Sequence, residues 1–241
     1  MTFQSTVNTA MGFGVVGELF LDGPVRAQPG IIDSDNITYP NRVGRAFTQV
    51  SGSDGHCTLG GAIGNGTPFF GILANPKVYP LLGTSAGGTL AASLDLPQYA
   101  EGEFVTMGEI VVSYPGACKV GDLVDYNTTT GALATRAPGS SFTGAISTTT
   151  LTVTSFVAGG APIGVGTVLS SASVAPGTVV TALGTGTGGN GTYTVNNSQS
   201  VSAEAMTGSS QPASGNAAIP RATVSRYNLT GAGLGVLKLT N

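Results

Sequence analysis

Glycine and proline set the main constraint on what this chain can fold into. The sequence contains 38 glycines and 13 prolines among 241 residues. Glycine in a helix loses conformational entropy, and proline removes a backbone donor and clashes with the preceding turn. Long helices are therefore disfavoured, and many short strands joined by turns are favoured. The sequence predicts an all-β fold.

Charged residues are distributed very unevenly along the chain. Between Gly139 and Gly215, Glu204 is the only charged residue. This segment is rich in Gly, Ser, Thr, Val and Ala, and glycine-rich turns separate its β-branched runs. A disordered linker is the alternative for such a composition, but linkers lack apolar alternation such as Leu151 with Val153. We predict a small antiparallel β module at residues 139–215.

Strand-like runs lie on both sides of this module. They include residues 103–114 and 119–126 before it, and 219–227 and 233–239 after it. The host sheet would lack its last strands unless the chain returned to it, so the module is predicted to be inserted at a hairpin tip. We predict a β-barrel or sandwich-like host domain at residues 55–138 plus 216–241. Residues 1–54, punctuated by Gly-Pro and Pro-Gly pairs, are predicted to form an extended N-terminal arm with loops.

The charge balance limits the classes of partner. The formal net charge is −3, and the nine basic residues are scattered singly, so a nucleic-acid partner is not expected. A secretory signal begins with a basic region, but no Lys or Arg precedes Arg26. The apolar run at 12–21 is too short to span a bilayer. We expect synthesis in a reducing cytoplasm, with Cys57 and Cys118 free and buried; a disulfide between them is the alternative.

Catalytic motifs are weak in this sequence. Gly83-Thr84-Ser85-Ala86-Gly87 matches the nucleophile-elbow pattern, which exposes a serine beside a base. His56 is the sole histidine and precedes the serine, whereas hydrolases of this kind place the histidine last. Glu101 and Glu103 would share one face of a strand, where we expect them to be solvated. No catalytic residue is predicted, and a hydrolase stays a minor alternative.

Cofactor and metal motifs are equally weak. The G-x-G-x-x-G matches at 12–17 and 186–191 lack the strand before and helix after that a dinucleotide site needs. His56 and Cys57 are adjacent, so on a strand they would point to opposite faces. Residues 33–36 open like a calcium loop but lack its later ligands, and an Asx-type turn is the better interpretation. We predict no cofactor and no metal.

Several segments of the chain resemble a known family. The opening Met1-Thr-Phe-Gln-Ser-Thr-Val-Asn-Thr-Ala-Met-Gly-Phe-Gly-Val-Val-Gly-Glu-Leu, with Gly23-Pro24-Val-Arg26-Ala, resembles the N-terminal arm of tailed-phage structural cement, or head decoration, proteins. Residues 119–127, followed by Thr130-Gly131-Ala132-Leu133, resemble the hairpin of that family, and 219–224 and 235–239 resemble its last strands. The similarity covers the chain outside the 139–215 module. That module resembles a β module found in many phage virion proteins.

The resemblance implies a non-enzymatic virion protein. Such a protein would bind the exterior of the capsid and bridge subunits of the major capsid protein, after assembly in the bacterial cytoplasm. It would form homo-oligomers, with dimers or trimers expected for a symmetric shell. As a hypothesis, the arm drapes over the coat protein, and the capsid-contact candidates are Phe3, Phe13, Leu19, Phe20 and Arg26.

The alternative function is a phage fibre or adhesin that binds the host surface. In that case the Ser/Thr-rich module would contact host-surface glycans. Aromatic platforms are the usual means of holding sugars, and the module contains only Phe142, Phe156 and Tyr193. The sequence therefore favours the capsid-binding function.

Overall fold

The computed structural model describes residues 14–20, 23–35, 37–75 and 95–240, and these ranges contain strands and no helix. The all-β prediction is confirmed. No helix in the described ranges could cross a membrane. The strands are β1 (Leu19–Phe20), β2 (Arg26–Ile32), β3 (Asn41–Arg42), β4 (Ala46–Gln49), β5 (His56–Leu59), β6 (Phe69–Leu73), β7 (Asp95–Leu96), β8 (Glu101–Tyr114), β9 (Leu123–Asn127), β10 (Leu133–Arg136), β11 (Gly139–Phe156), β12 (Leu169–Ser170), β13 (Val180–Leu183), β14 (Gly191–Ser209), β15 (Asn216–Arg226) and β16 (Gly233–Leu239).

Five strands close into a small barrel. The ring of pairings runs β2, β5, β4, β6, β8 and back to β2; only the β2–β5 pair is parallel. Closure pairs every strand of the ring with two neighbours, which reduces the unpaired edge available for unwanted strand pairing. The barrel interior is filled by large apolar side chains. They include Ile32, Phe47, Phe70, Leu73 and Phe104.

Two glycines make room for the aromatic centre of the barrel. Gly30 on β2 lies opposite Gly102 on β8. A Cβ at Gly30 would come within 2.5 Å of the Phe70 ring, and one at Gly102 would come within 3.0 Å of the Phe104 ring. The Phe104 ring packs edge-on against Phe70, with centroids 5.1 Å apart, in a geometry that aromatic rings prefer.

Strand β8 continues beyond the barrel into a second layer. Residues 108–114 pair with β16, which pairs with β15, then β9, then β10. Strand β1 pairs with β8 at Ile110 and Glu109. The face of this sheet that packs inward carries a separate core cluster. Its members include Ile110, Val112, Tyr114, Tyr126, Val224 and Leu237.

Two strands of the barrel, β2 and β4, come from the first 54 residues, which the sequence analysis assigns to an extended arm. Pro29 has no backbone N–H to donate within β2. This is not needed for pairing with β5, because β2 pairs with β5 only through Ile31 and Ile32. Proline is tolerated at such an edge-like position because no neighbour needs its N–H. The Pro-Gly pair that indicates a loop in the sequence therefore lies within a strand.

The 139–215 segment forms its own sheet. Strands β11 and β14 pair along most of their length, and β12 and β13 pair with the other edge of β14. The register shifts between Thr148 and Thr150, where Thr148 has a φ of 57°, so both long strands bend there. The bend folds the ribbon around its own core. Buried members include Phe142, Ile146, Leu151, Tyr193 and Met206.

Tyr114 and Tyr126, both buried in the core cluster of the second layer, differ in whether the hydroxyl has a hydrogen-bond partner. The Tyr126 hydroxyl donates to the Gly61 carbonyl at 2.7 Å, and burial raises its pKa to about 12. Among the described residues the Tyr114 hydroxyl has no hydrogen-bond partner, and burial raises its pKa as well. An unpaired buried hydroxyl is costly, whereas a paired one contributes about 1 kcal/mol.

Tyr126→Phe should therefore lower the free energy of unfolding by about 1 kcal/mol, since it removes a buried hydrogen bond. Tyr114→Phe, the matched variant in the same cluster, should leave that free energy unchanged or raise it by up to about 1 kcal/mol. Urea unfolding of both variants measures the difference. Equal losses in the two variants would contradict the assignment of the Tyr114 hydroxyl as unpaired.

The one charge of the inserted module holds a loop to its sheet. The Glu204 carboxylate on β14 accepts hydrogen bonds from the hydroxyls of Ser171 and Ser173 and from the Ser173 amide. These bonds, that of Ser171 first, hold the pKa of Glu204 below its usual value. Because the folded-state pKa is lowered, the contribution to stability is present above the ordinary pKa and is lost as the pH falls through the lowered one.

The Ser173 amide resonance should therefore titrate with a midpoint below about 4.3, the usual value for Glu. In Glu204→Gln, which keeps the shape and removes the charge, this titration should disappear. Two-dimensional NMR from pH 7 to pH 2.5 measures both. A midpoint at or above the usual value would show that the carboxylate is not held by these donors.

Candidate interaction surface

Residues 14–20 form a strap across β8. The Gly17 amide donates to the Val111 carbonyl and the Val111 amide donates to the Glu18 carbonyl, both at 2.8 Å. The Asn75 amide donates to the Gly17 carbonyl at 2.8 Å, which ties the strap to the end of β6 as well. Gly17 has a φ of 83°, and a Cβ there would lie 2.8 Å from the Asn75 nitrogen. Only glycine suits this position.

The strap places two of the predicted contact residues, Leu19 and Phe20, on opposite faces. Leu19 packs against the inner core cluster, while Phe20 lies in register with Glu109 on the outer face. Neighbours in a strand point to opposite sides, which accounts for the split. Leu19 is thus engaged inside its own chain. Phe3 and Phe13 lie outside the described residues, and the contact role of all these residues stays a prediction.

Phe20 belongs to a charged cluster on the outer face. The Arg226 guanidinium lies 4.8 Å from the centroid of the Phe20 ring, a cation–π geometry. Arg226 Nε donates to Glu109 Oε2 at 3.1 Å, and the Ser225 hydroxyl donates to Glu109 Oε1 at 2.6 Å. The carboxylate of Glu109 thus holds the cation over the ring, and Phe20 is half-buried as a result.

Further cations surround this cluster. Lys238 on β16 lies opposite Glu109, and Arg26 on β2 lies opposite Met107, two residues along β8. Register partners project from the same face of a sheet, so Phe20, Lys238 and Glu109 share the outer face. Arg26, Lys238 and also Arg221 on β15 are exposed. We call Phe20, Arg26, Glu109, Arg226 and Lys238 the outer-face cluster.

The candidate catalytic and metal residues do not assemble into a site in the described residues. His56 Nδ1 lies 2.8 Å from Asp33 Oδ1, and no group of three His, Cys, Asp or Glu comes together within the described ranges. Cys57 and Cys118 are free and buried, as predicted. Burial raises the pKa of Cys57 to about 12 and also raises the pKa of Cys118, which disfavours the thiolate form of both side chains. Ser85 lies outside the described residues.

The turn motifs behave as local structure. The Ile37 amide donates to Asp35 Oδ1 at 3.4 Å, the geometry of an Asx-type turn. In the 186–191 glycine motif, the Gly188 amide donates to the Tyr193 hydroxyl, and a Cβ at Gly186 would overlap the Tyr193 ring. These glycines form a turn wrapped around a buried tyrosine. Sequence reasoning identified them as turn residues but not the tyrosine that they enclose.

The described residues form an all-β protein with a central barrel, a second β module, and an outer face of cations grouped around one ring. A family model described as "Structural cement protein (E217 gp24/Pam3 gp6)" matches residues 3–164, which is 162 of the 241 residues. The chain therefore belongs to the phage structural cement protein family, and its role is structural. No curated protein matches the chain.

The family match and the resemblance on which the sequence analysis relied overlap but differ in extent. Both include the N-terminal residues and the hairpin around β9 and β10. The match also continues through β11 of the inserted module, and it does not include the closing strands β15 and β16. The family is thus recognised mainly from the barrel and the strands that follow it.

Gly17→Ala should release the strap from β8. A left-handed conformation costs an L-residue about 1–2 kcal/mol, and the added Cβ also meets the Asn75 backbone. The Val111 amide should then lose hydrogen-exchange protection by roughly tenfold or more. Gly23→Ala is the matched control, because a Cβ there meets nothing within 4 Å. Equal protection in the two variants would refute the strap as a tether.

Proposed function

We propose that this protein binds the outer surface of the phage capsid and clamps neighbouring subunits of the major capsid protein. Membership of the cement family supports a structural, capsid-stabilising role. The observation that carries the finer proposal is the strap. Because Gly17 and Glu18 are hydrogen-bonded to β8, the chain that precedes Gly14 is anchored to the host domain at a defined point. A segment anchored in this way can transmit load from a neighbouring subunit to the barrel.

In this proposal the chain has three parts. Residues before the strap reach the coat protein with Phe3 and Phe13, and Phe20 and Arg26 contribute from the outer face. The barrel and its second layer form the body, which lies on the shell. The module at 139–215 projects from it: Gly139 lies opposite Ser209, so the chain enters and leaves the module across one strand pair. We assign the arm that reaches the coat protein to residues 1–13 in this proposal, because β2 and β4 of the predicted 1–54 arm belong to the barrel.

Clamping requires no chemical step. A protein that binds the assembled shell and not its separated subunits stabilises the shell by an amount that grows with its concentration over the dissociation constant. We therefore infer no catalytic role. A protein that clamps the outer surface would be located on the virion exterior, and we infer that it assembles in the bacterial cytoplasm. A dimer or trimer would match the local symmetry of a shell.

The adhesin alternative gains no support from the inserted module. Tyr193 and Phe142 are almost completely buried, and Phe156 packs against the same core. These rings hold the module together, so within it they do not form an exposed platform for sugars. We do not advance glycan binding as a second function.

Co-sedimentation with shells that lack this protein tests the proposal. The full chain should pellet with the shells, and a variant without residues 1–13 should stay folded by circular dichroism and lose most binding. A Phe3→Ala/Phe13→Ala variant should weaken binding, while Gln4→Ala/Asn8→Ala, a polar pair in the same segment, should not. Failure of the full chain to bind would refute the function; unchanged binding without residues 1–13 would refute the arm.

A second variant tests the role given to the inserted module. Because Gly139 and Ser209 are adjacent, residues 140–208 can be replaced by a short glycine turn. This variant should bind shells as well as the full chain does, since the contacts are assigned to the arm and the body. Loss of binding in a folded variant would place the capsid contact in the module.

A further inference from the structure

A groove lies on the body beside the strap. Its volume is about 740 Å³, within the range of pockets that hold small molecules or short peptide segments. The walls come from the strap, the segment before β4, the end of β8, and strands β10 and β16. The apolar lining residues include Val16, Val43, Pro115, Leu133 and Leu234.

Two arginines give this apolar groove its charge. Arg42 and Arg45 both line it, and the lowered pKa of Arg45 is due first to burial and then to the neighbouring Arg42. Arg42 Nε donates to Asp95 Oδ1 at 3.0 Å, and Arg45 Nη1 donates to the Thr130 carbonyl. One carboxylate therefore faces two guanidinium groups, each of which has further N–H donors. The charged residues that line the groove are thus both cationic, and they stand among apolar side chains.

Charge complementarity decides which kind of segment suits the groove. The two long stretches outside the described residues, 1–13 and 76–94, contain no Asp or Glu, and the second contains Lys77. Neither stretch can offer a carboxylate side chain to the two arginines. A segment that offers both apolar side chains and a carboxylate to the groove would therefore come from another protein or from a second copy of this one.

We propose that this groove binds a short apolar segment of the major capsid protein that carries an Asp or Glu side chain, which pairs with Arg42 and Arg45. The identity of the partner rests on the proposed function; the chemistry of the segment rests on the groove. Guanidinium groups hold carboxylates through paired, charge-assisted hydrogen bonds, which are stronger than neutral ones. A bound segment would cover the apolar walls and displace water from around the pair, which strengthens the attraction.

The position of the groove suits a clamp. Val15 and Val16 of the strap form one wall, so a segment held there is gripped between the strap and the barrel. The exposed side chain of Val15, with 57% of its surface accessible, would be covered by the bound segment. The capsid segment in the groove and the arm that precedes the strap would then both be held next to Val15 and Val16.

Shell co-sedimentation with groove variants tests this proposal. Arg42→Gln should weaken binding by roughly tenfold, the usual effect of losing a hydrogen bond to a charged group. Leu234→Asp, which places a competing carboxylate in the groove, should weaken it at least as much. Lys119→Gln, at an exposed cation outside both the groove and the outer-face cluster, should bind like the full chain. Thermal unfolding confirms that each variant is folded before its binding is compared.

The outcomes separate the two proposals. If the full chain does not bind shells, the proposed function fails. If the full chain binds and both groove variants bind equally well, the function stands and the groove proposal is overturned.

A photo-crosslinking residue, benzoylphenylalanine, at position 234 identifies the occupant directly. Mass spectrometry should find a peptide of the major capsid protein with an Asp or Glu close to the crosslinked residue. A crosslink to residues 1–13 or 76–94 of this protein, in the same or a second copy, would overturn the proposal. A crosslink to a capsid segment that has no acidic residue would overturn the charge pairing.

Discussion

Strand β8 is the element on which the rest of this structure depends. Its first half closes the barrel between β2 and β6, and its second half begins the outer sheet by pairing with β16. The strap binds the same strand through Val111. A load applied to the strap would therefore pass through backbone hydrogen bonds into both layers. The two layers also share one core cluster, which contains Ile72 and Val105 of the barrel and Leu237 of the second layer. Strand β8 thus joins the strap, the barrel and the second layer through one continuous backbone.

Two ion pairs, Asp125 with Arg136 and Glu109 with Arg226, join different strands. Arg136 Nε lies 2.8 Å from Asp125 Oδ2, and its Nη1 donates to the Ser210 carbonyl at the exit from the inserted module. Burial raises the pKa of Asp125, and the Arg136 hydrogen bond opposes that shift. Glu109 plays the corresponding part on the outer face. A surface of hydroxyls, amides and backbone leaves such pairs with little competition from neighbouring charges.

The fold class and the inserted module could be predicted because they depend on composition and short-range pattern. Glycine and proline disfavour helices, and the strands β11 and β14 follow the alternation seen around Leu151 and Val153. The sequence could not predict that part of the first 54 residues forms strands of the barrel. Pro29 indicates a loop from the local sequence. It lies in a strand because the edge of β2 at Pro29 does not pair with β5, and the position of β5 in space determines that. The contact candidates met the same limit, because the strand alternation that separates Leu19 from Phe20 becomes visible only once β1 is paired with β8.

By itself the sequence determined that the chain is β-rich, that its charge-poor segment stands apart, and that its N-terminal residues and hairpin belong to a cement protein. Those properties are carried by single residues and their near neighbours. Only the tertiary structure decided that Gly30 and Gly102 face each other around Phe70 and Phe104, that Gly17 anchors a strap, and that Arg42 and Arg45 share one groove. Strand pairing joins residues that are far apart in the chain, so a local sequence pattern cannot predict the surfaces that it creates.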